Sequence, residues 1–274
     1  MALGKRTEKK GGFGYRPRTE DQMRSRATQQ GGAWESPILD SIKLFRPKGD
    51  SEIRIMPPTW DNAEHFGIDV WLHRGIGADG NSYMCLSKAS GGKDPCPACE
   101  ERARAEKAEE DELAQALRPV RRVAVWLVDR ANEKEGPKIW LMPWTVDREI
   151  CAQAIDKKSG EIYQLDDPDN GYDVSFTVTR EGDWNKYGAV QVARRSSPIS
   201  DDADQAQEWL DYVAKHPIPS CFQPYDYEHV KKILDGGVQT AEDRERKASE
   251  RAGERHRPRV ESGSETPAGE ARRS

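Results

Sequence analysis

Short alternating segments bounded by Pro or Gly dominate the middle of this chain. "ILDSIKLF" and "SEIRIM" read as strands, and so do "FGIDVWLH" and "NSYMCL" on either side of the "GADGN" turn. "VRRVAVWLV" and "PKIWLMPW" follow, joined by the polar "DRANEKEG". "YDVSFTVTR" and "YGAVQVARR" form another hairpin-like pair. The helical patterns are fewer. Residues 100–117, "EERARAEKAEEDELAQAL", read as one charged helix with Pro119 behind it. Its i, i+4 pairs Glu100–Arg104 and Arg102–Glu106 mark a solvated face. "DDADQAQEWLDYVAKH" and "YEHVKKILDGG" read as late helices, the second stopped by Gly236 and Gly237. The pattern predicts an α+β chain, mainly β with helices: a small β-barrel carrying an insertion.

Both ends lack this pattern. Residues 1–36 are rich in Gly, Arg, Lys and Gln, and residues 238–274 are Glu/Arg/Ser/Gly with no apolar face. Both are expected to be disordered, leaving residues 37–237 as the folded core. The charge is unevenly spread. The head carries eight basic and four acidic groups, and residues 239–274 carry nine and eight. With a total of −5, residues 37–238 net −10. No apolar run is long enough to span a membrane, and the basic start has no apolar segment behind it, so a cytoplasmic setting is expected. Five cysteines, an odd number, argue against a disulfide framework.

Three of those cysteines crowd into "HRGIGADGNSYMCLSKASGGKDPCPACE", residues 73–100. His73, Cys85, Cys96 and Cys99 are spaced H-x11-C-x10-C-x2-C. A tetrahedral zinc site takes four N/S ligands, and a Cys-x2-Cys turn supplies two of them. A hairpin brings His73 and Cys85 together, so zinc would staple an insertion, about residues 73–118, too polar to make its own core. With four protein ligands the site is closed and structural, one Zn²⁺ per chain. "CPAC" also resembles a thiol–disulfide redox pair, which leaves His73 and Cys85 without a role. Chance proximity is the third reading. His65 is a substitute ligand, while Cys151 and Cys221 read as buried apolar residues.

Aromatic residues alternate with cations in the strands. One face of residues 121–130 carries Arg122, Ala124, Trp126, Val128 and Arg130, opposite a core face of Val123, Val125 and Leu127. Lys138, Trp140, Met142 and Trp144 share a face in the next strand. Arg180, Trp184, Lys186 and Tyr187 surround a hairpin loop, and Tyr83 precedes Cys85. Planar side chains among cations suit single-stranded nucleic acid, whose bases stack while Lys and Arg follow the phosphates. Each strand Trp taken alone reads more readily as core than as a stacking platform, Trp126 and Trp140 above all. No phosphate-binding Gly loop, G-x-S-x-G or HExxH occurs. "DDPDN" at 166–170 reads as a turn.

The order of "RPKGDSEIRIMPP", "WLHRGIG…C…CPACE", "VAVWLVDR…GPKIWLMPW" and "GYDVSFTVTREGDWNKYG" resembles the T4-type gene 32 single-stranded DNA-binding protein family of bacteriophages. The resemblance covers roughly residues 1–237. It implies an OB-fold with an inserted zinc subdomain, and zinc ligands at His73, Cys85, Cys96 and Cys99. It implies cooperative, sequence-independent coating of single-stranded DNA in phage replication, recombination and repair, inside an infected bacterium. Phage replication and recombination proteins are the implied partners, and the activity is binding rather than catalysis. "GKRTEKK" is similar to the family's basic arm, which implies self-association along DNA through Lys5, Arg6, Thr7, Lys9 and Lys10. Trp184, Tyr187 and Tyr83 match family aromatics. Arg121 and Arg122 stand where the family has an aromatic pair, and the tail is charge-balanced rather than acidic.

Overall fold

The alternation along residues 120–129 sets the architecture, because both of its faces are covered. The computed structural model describes residues 37–238 apart from residues 62, 78, 79, 157, 159, 161, 182 and 183. The arm residues Lys5, Arg6, Thr7, Lys9 and Lys10, and the tail beyond Val238, lie outside the described residues. Seven strands form one sheet: β1 (Gly49–Ile55), β2 (Gly67–Ile76), β3 (Asn81–Met84), β4 (Val120–Asp129), β5 (Lys138–Pro143), β6 (Asp173–Glu181) and β7 (Trp184–Val192). Their order is β3-β2-β4-β1-β6-β7, with β5 branching from β4, and every pairing is antiparallel.

β4 is the hub. One edge pairs with β5, in the register Trp126↔Ile139. The other edge pairs first with β2, Ile68↔Ala124, and then with β1, Ile55↔Leu127. A strand that changes partner along one edge must bend, so the sheet curls into a half-barrel. Val123, Val125 and Leu127 point inward to join Ile53, Ile55, Trp140, Met142, Val174 and Phe176. Ala124, Trp126 and Val128 point outward, but not to solvent. They pack with Ile139, Trp209, Val213, Ile218 and Phe222 in a second core.

That second core corrects the reading of Trp126 as a stacking platform. It is 1 % exposed, lies edge-on to Tyr212, and donates its Nε1–H to the His216 carbonyl at 2.9 Å. The cover comes from a helix, Ala203–Lys215, and the short 3-10 turn Ile218–Cys221. Two faces of apolar residues on one strand bury more area than a half-exposed strand would, at about 1.5–3 kcal/mol per large side chain.

The helices are α1 (Leu86–Ala89), α2 (Pro97–Lys107), α3 (Asp111–Ala116), α4 (Trp144–Gln153), α5 (Ala203–Lys215) and α6 (Tyr227–Leu234). The single helix expected over 100–117 is therefore two. Glu109 adopts φ 60°, and the Glu110 amide donates back to the Ala105 carbonyl at 2.9 Å, a turn that normally takes glycine. Arg102–Glu106 pairs as expected at 2.7 Å, whereas Arg104 pairs with Glu101 and Glu100 accepts from the Tyr227 hydroxyl at 2.6 Å. "ILDSIKLF" is not a strand. It makes isolated bridges at Ile38 and Leu44 and contributes Ile38 and Ile42 to the second core. "DDPDN" is a turn, with Asp167 accepting from the amides of Asp169 and Asn170. No helix among the described residues is long and apolar enough to cross a membrane.

A buried ion network locks β1 to β6. Arg54, fully buried, donates to Asp173 at 2.9 Å and to the Ser197 carbonyl at 2.8 Å. Arg130 donates to the same Asp173 oxygen at 3.0 Å and to the Ile199 carbonyl at 2.8 Å, and pairs with Glu133. Arg54→Met is expected to cost about 3 kcal/mol, because it strands buried acceptors. A urea midpoint indistinguishable from that of the parent protein would refute this.

Candidate metal centre and cationic cleft

Strand β2 serves two sites through its alternation. Leu72 and Arg74 face one way, into a cleft. His73 faces the other way, fully buried, beneath the β3 hairpin and α2.

His73, Cys85, Cys96 and Cys99 converge, with all four donor atoms within 4.8 Å of one another. Cys85 directly follows β3, and Cys96 immediately precedes α2, whose first turn carries Pro97 and Cys99. The Cys85 and Cys99 sulfurs are 3.5 Å apart. His73 Nε2 is 3.4 Å from the Cys96 sulfur and 3.5 Å from that of Cys99. For a four-coordinate ion of first-row transition-metal size, tetrahedral edges fall at about 3.8 Å between sulfurs and about 3.6 Å between sulfur and nitrogen. The observed edges lie close to these, and no disulfide forms among the described cysteines. His73 Nδ1 lies 2.8 Å from the Leu117 carbonyl. A proton on Nδ1 satisfies that carbonyl and leaves the Nε2 lone pair facing the sulfurs, the usual support of a metal-ligating histidine.

The electrostatics ask for a cation. Burial pushes His73 down, but hydrogen bonds from Cys85 and Cys96 outweigh it and raise its pKa to about 9. Hydrogen bonds from Cys85 and Cys99 hold the Cys96 thiol far below its ordinary range. Hydrogen bonds with Cys85 and Cys96 push the Cys99 thiol far above it. One negative charge is accommodated and the next is resisted, a conflict that a dication at the centre removes. This buried His/Cys cluster can hold a metal ion. Around it lies a small third core: Ile76, Tyr83, Ala98, Leu117 and Val230 from α6.

Tyr83 belongs to that core, which corrects its assignment as a stacking residue. It is fully buried, with its ring 4.9 Å from that of Tyr225. Alternation points Tyr83 inward beside the cluster, so it has no face for a base.

The cleft, about 870 Å³, opens on the other side of β2. It is walled by β5, by α4, by the β6–β7 hairpin and by residues 44–47. Five arginines line it (Arg46, Arg74, Arg122, Arg148 and Arg180) against one carboxylate among its described lining residues, Glu149. Phe45, Trp140 and Tyr187 supply aromatic surface. Burial lowers the Arg122 pKa to about 10, and the nearby Arg74 charge adds to the shift. Its guanidinium donates only 3.1 Å away, to the Arg121 carbonyl, rather than to an acid. Two guanidinium groups side by side in a cleft make a place for an anion.

The remaining predicted residues divide. Trp140 is 3 % exposed, stacked on Phe176 at 5.0 Å, so it floors the cleft more than it projects into it. Tyr187 is half-buried, 5.9 Å from Trp140, at the cleft wall. Trp144 is not on the β5 face, since the strand ends at Pro143 and Trp144 opens α4. There it lies between the guanidinium groups of Arg121, 5.1 Å, and Arg148, 4.9 Å. Arg121 also pairs with Asp69. Lys186 is exposed and pairs with Glu181 at 2.8 Å. Nothing is described of the Trp184 side chain. Two cations are withdrawn from any ligand. Lys138 is buried between Asp129 at 3.3 Å and Glu135 at 2.6 Å, and Arg130 is held in the Asp173 network. Strand register carried Lys138 inside, and Arg130, half-buried just past the end of β4, meets its acids there.

The chain matches no protein-family model and no curated protein sequence. The site therefore stands on its own geometry. Sequence reading missed Arg46, Arg74 and Arg148, which lie far apart along the chain and meet only in the cleft. It also missed α4 itself. Acids of the α2–α3 region, by contrast, stay out of the cleft: Glu106 and Asp111 line a separate, smaller hollow of about 540 Å³ with Trp71, Lys88 and Arg118.

Proposed function

We propose that the chain is a single-stranded DNA-binding protein whose curled sheet is an OB-type barrel and whose His73–Cys85–Cys96–Cys99 cluster holds one structural zinc. The observation that carries this reading is the cleft, in which five arginines face one carboxylate over aromatic walls. Net charge does not oppose it. Affinity follows local phosphate contacts, and the acids of the −10 core that pair in salt bridges or lie on α2 and α3 do not line the groove. A donor set of three sulfurs and one imidazole in a closed tetrahedron favours zinc over harder ions. Zinc would brace β2 from behind while Arg74 on its front face meets the strand.

The resemblance extends the proposal to cooperative coating during phage DNA replication, recombination and repair, in the cytoplasm of an infected bacterium. Self-association would run through Lys5, Arg6, Thr7, Lys9 and Lys10, with phage replication and recombination proteins as further partners. The alternative redox role for Cys96 and Cys99 loses support from burial. Cys96 is 2 % exposed, and thiol exchange needs an accessible thiolate. An adaptor that binds only proteins leaves the arginine-rich, aromatic-walled cleft without a role.

Titration with poly(dT), followed by fluorescence of the chain's eight tryptophans, tests the reading. Binding should weaken steeply with salt, with a slope of about 0.7 per phosphate neutralised, and duplex of equal length should bind far more weakly. Equal affinity for duplex and single strand would sink it.

A further inference from the structure

Away from the cluster and the cleft, a second set of donors meets at the surface. His65 lies in the loop between β1 and β2, and Asp147 and Cys151 lie one turn apart on α4. We propose that these three residues form a second metal site, an open one that takes an exchangeable dication of the zinc class.

The geometry carries it. His65 Nε2 is 3.3 Å from Asp147 Oδ1 and 3.5 Å from the Cys151 sulfur, and that sulfur is 3.9 Å from Asp147 Oδ1. A tetrahedral zinc-class ion sets edges of about 3.4 Å between nitrogen and oxygen, and about 3.6 Å from sulfur to either. The triangle already has those dimensions, widened modestly on its S···O edge. The mixed N, O and S set suits borderline ions rather than Mg²⁺ or Ca²⁺. His65 can present the needed lone pair. Its Nδ1 lies 3.3 Å from the Gly67 carbonyl, which accepts a hydrogen bond from Nδ1–H when Nε2 binds metal. Without metal, the Gly67 amide donates to Nδ1 at 3.0 Å and Nε2–H serves Asp147.

A plain His65–Asp147 ion pair accounts for two of the three groups, while Cys151, which packs against the first core, turns its sulfur toward both of them. Cys221 shows what a structural cysteine does in this fold: it is 1 % exposed in the second core, and burial raises its pKa to about 11. Cys151 instead sits half-exposed against both polar partners. The His65 side chain is 35 % exposed, so the fourth coordination position opens to water and the ion can exchange. That distinguishes the site from the closed, buried cluster at His73. The next residues round the helix, Arg148, Glu149 and Ala152, line the cleft. An ion here would therefore pin α4, one wall of the cleft, to the β1–β2 loop. The inference does not rest on the nucleic-acid reading, nor on the identity of the ion at His73.

Equilibrium dialysis of the full chain against micromolar Zn²⁺, with metal counted per chain, tests it. The parent protein should bind about two ions, and Cys151→Ser and Cys96→Ser about one each. Iodoacetamide labelling of Cys151, read by peptide mass, should slow at least about tenfold when Zn²⁺ is added and recover with EDTA, because the metal-bound thiolate is masked. Equal stoichiometry in the parent and Cys151→Ser would overturn the proposal, whatever Cys96→Ser shows. So would a labelling rate that ignores zinc, a measurement that needs no variant and decides the matter if a variant fails to fold.

Discussion

Removing the metal from the His73 cluster, with a strong chelator or by Cys96→Ser, should unfold residues 81–118 while leaving the strands around β4 intact. Binding of a structural zinc is worth about 10–16 kcal/mol to a small metal-folded unit. The third core that surrounds the cluster is too small to replace it, since among the described residues its buried apolar members are Ile76, Tyr83, Cys85, Cys96, Ala98, Leu117 and Val230. The first and second cores do not depend on the cluster and stay closed. Loss should spread to α6, which supplies Val230 and bonds Glu100 through Tyr227. Amide hydrogen exchange by mass spectrometry reads this directly. Protection should vanish in the peptides covering β3, α2, α3 and α6, and persist in β4 and β6. Unchanged protection after verified metal removal would mean that the cluster is only a packing feature.

Reversing the charge of Arg122 should weaken single-stranded DNA binding by about two orders of magnitude or more. Arg122 lies in the cleft beside Arg74, and its guanidinium donates to a carbonyl rather than to an acid. Arg122→Glu exchanges a phosphate partner for a repulsive charge, a change of several kcal/mol at a desolvated contact. The fold should tolerate it, since a carboxylate there relieves the repulsion that Arg74 exerts on the native side chain. Arg122→Gln is the milder version. It should cost roughly tenfold and reduce the salt slope by about 0.7, the share of one phosphate contact. Affinity unchanged in Arg122→Glu, with the thermal midpoint preserved, would remove the cleft from the DNA path.

The buried His/Cys cluster was legible from spacing alone. A Cys-x2-Cys turn and two ligands on a hairpin have few ways to meet, and β2, β3 and the start of α2 bring them within 4.8 Å. The companion site was not. His65 and Cys151 are 86 residues apart, and α4 carries no helix-start signal that sequence reading recognised. Pro143 and the apolar "IWLMPW" pattern extended the strand through Trp144, whereas the helix begins there. The cleft shows the same division. Arg122, Arg180 and Tyr187 stand next to aromatic or loop signals, but Arg46, Arg74 and Arg148 are ordinary surface arginines until the sheet curls.

Local patterns determined what is local: most of the strands, the late helices, the turn at 166–170, and the metal-ligand spacing. These depend on side-chain period, turn chemistry and short loops, all of which a few neighbouring residues specify. Only the tertiary structure decided which face of a strand was covered. The face of β4 that carries Trp126 has the alternation of a half-exposed strand, and α5 with the 3-10 turn at Ile218–Cys221, far along the sequence, buries it. The same long-range burial took Tyr83 into the third core, and it brought Arg130 to Asp173 from another segment. Burial is a property of partners rather than of pattern, so a sequence can show where an aromatic or a cation points but not what meets it there.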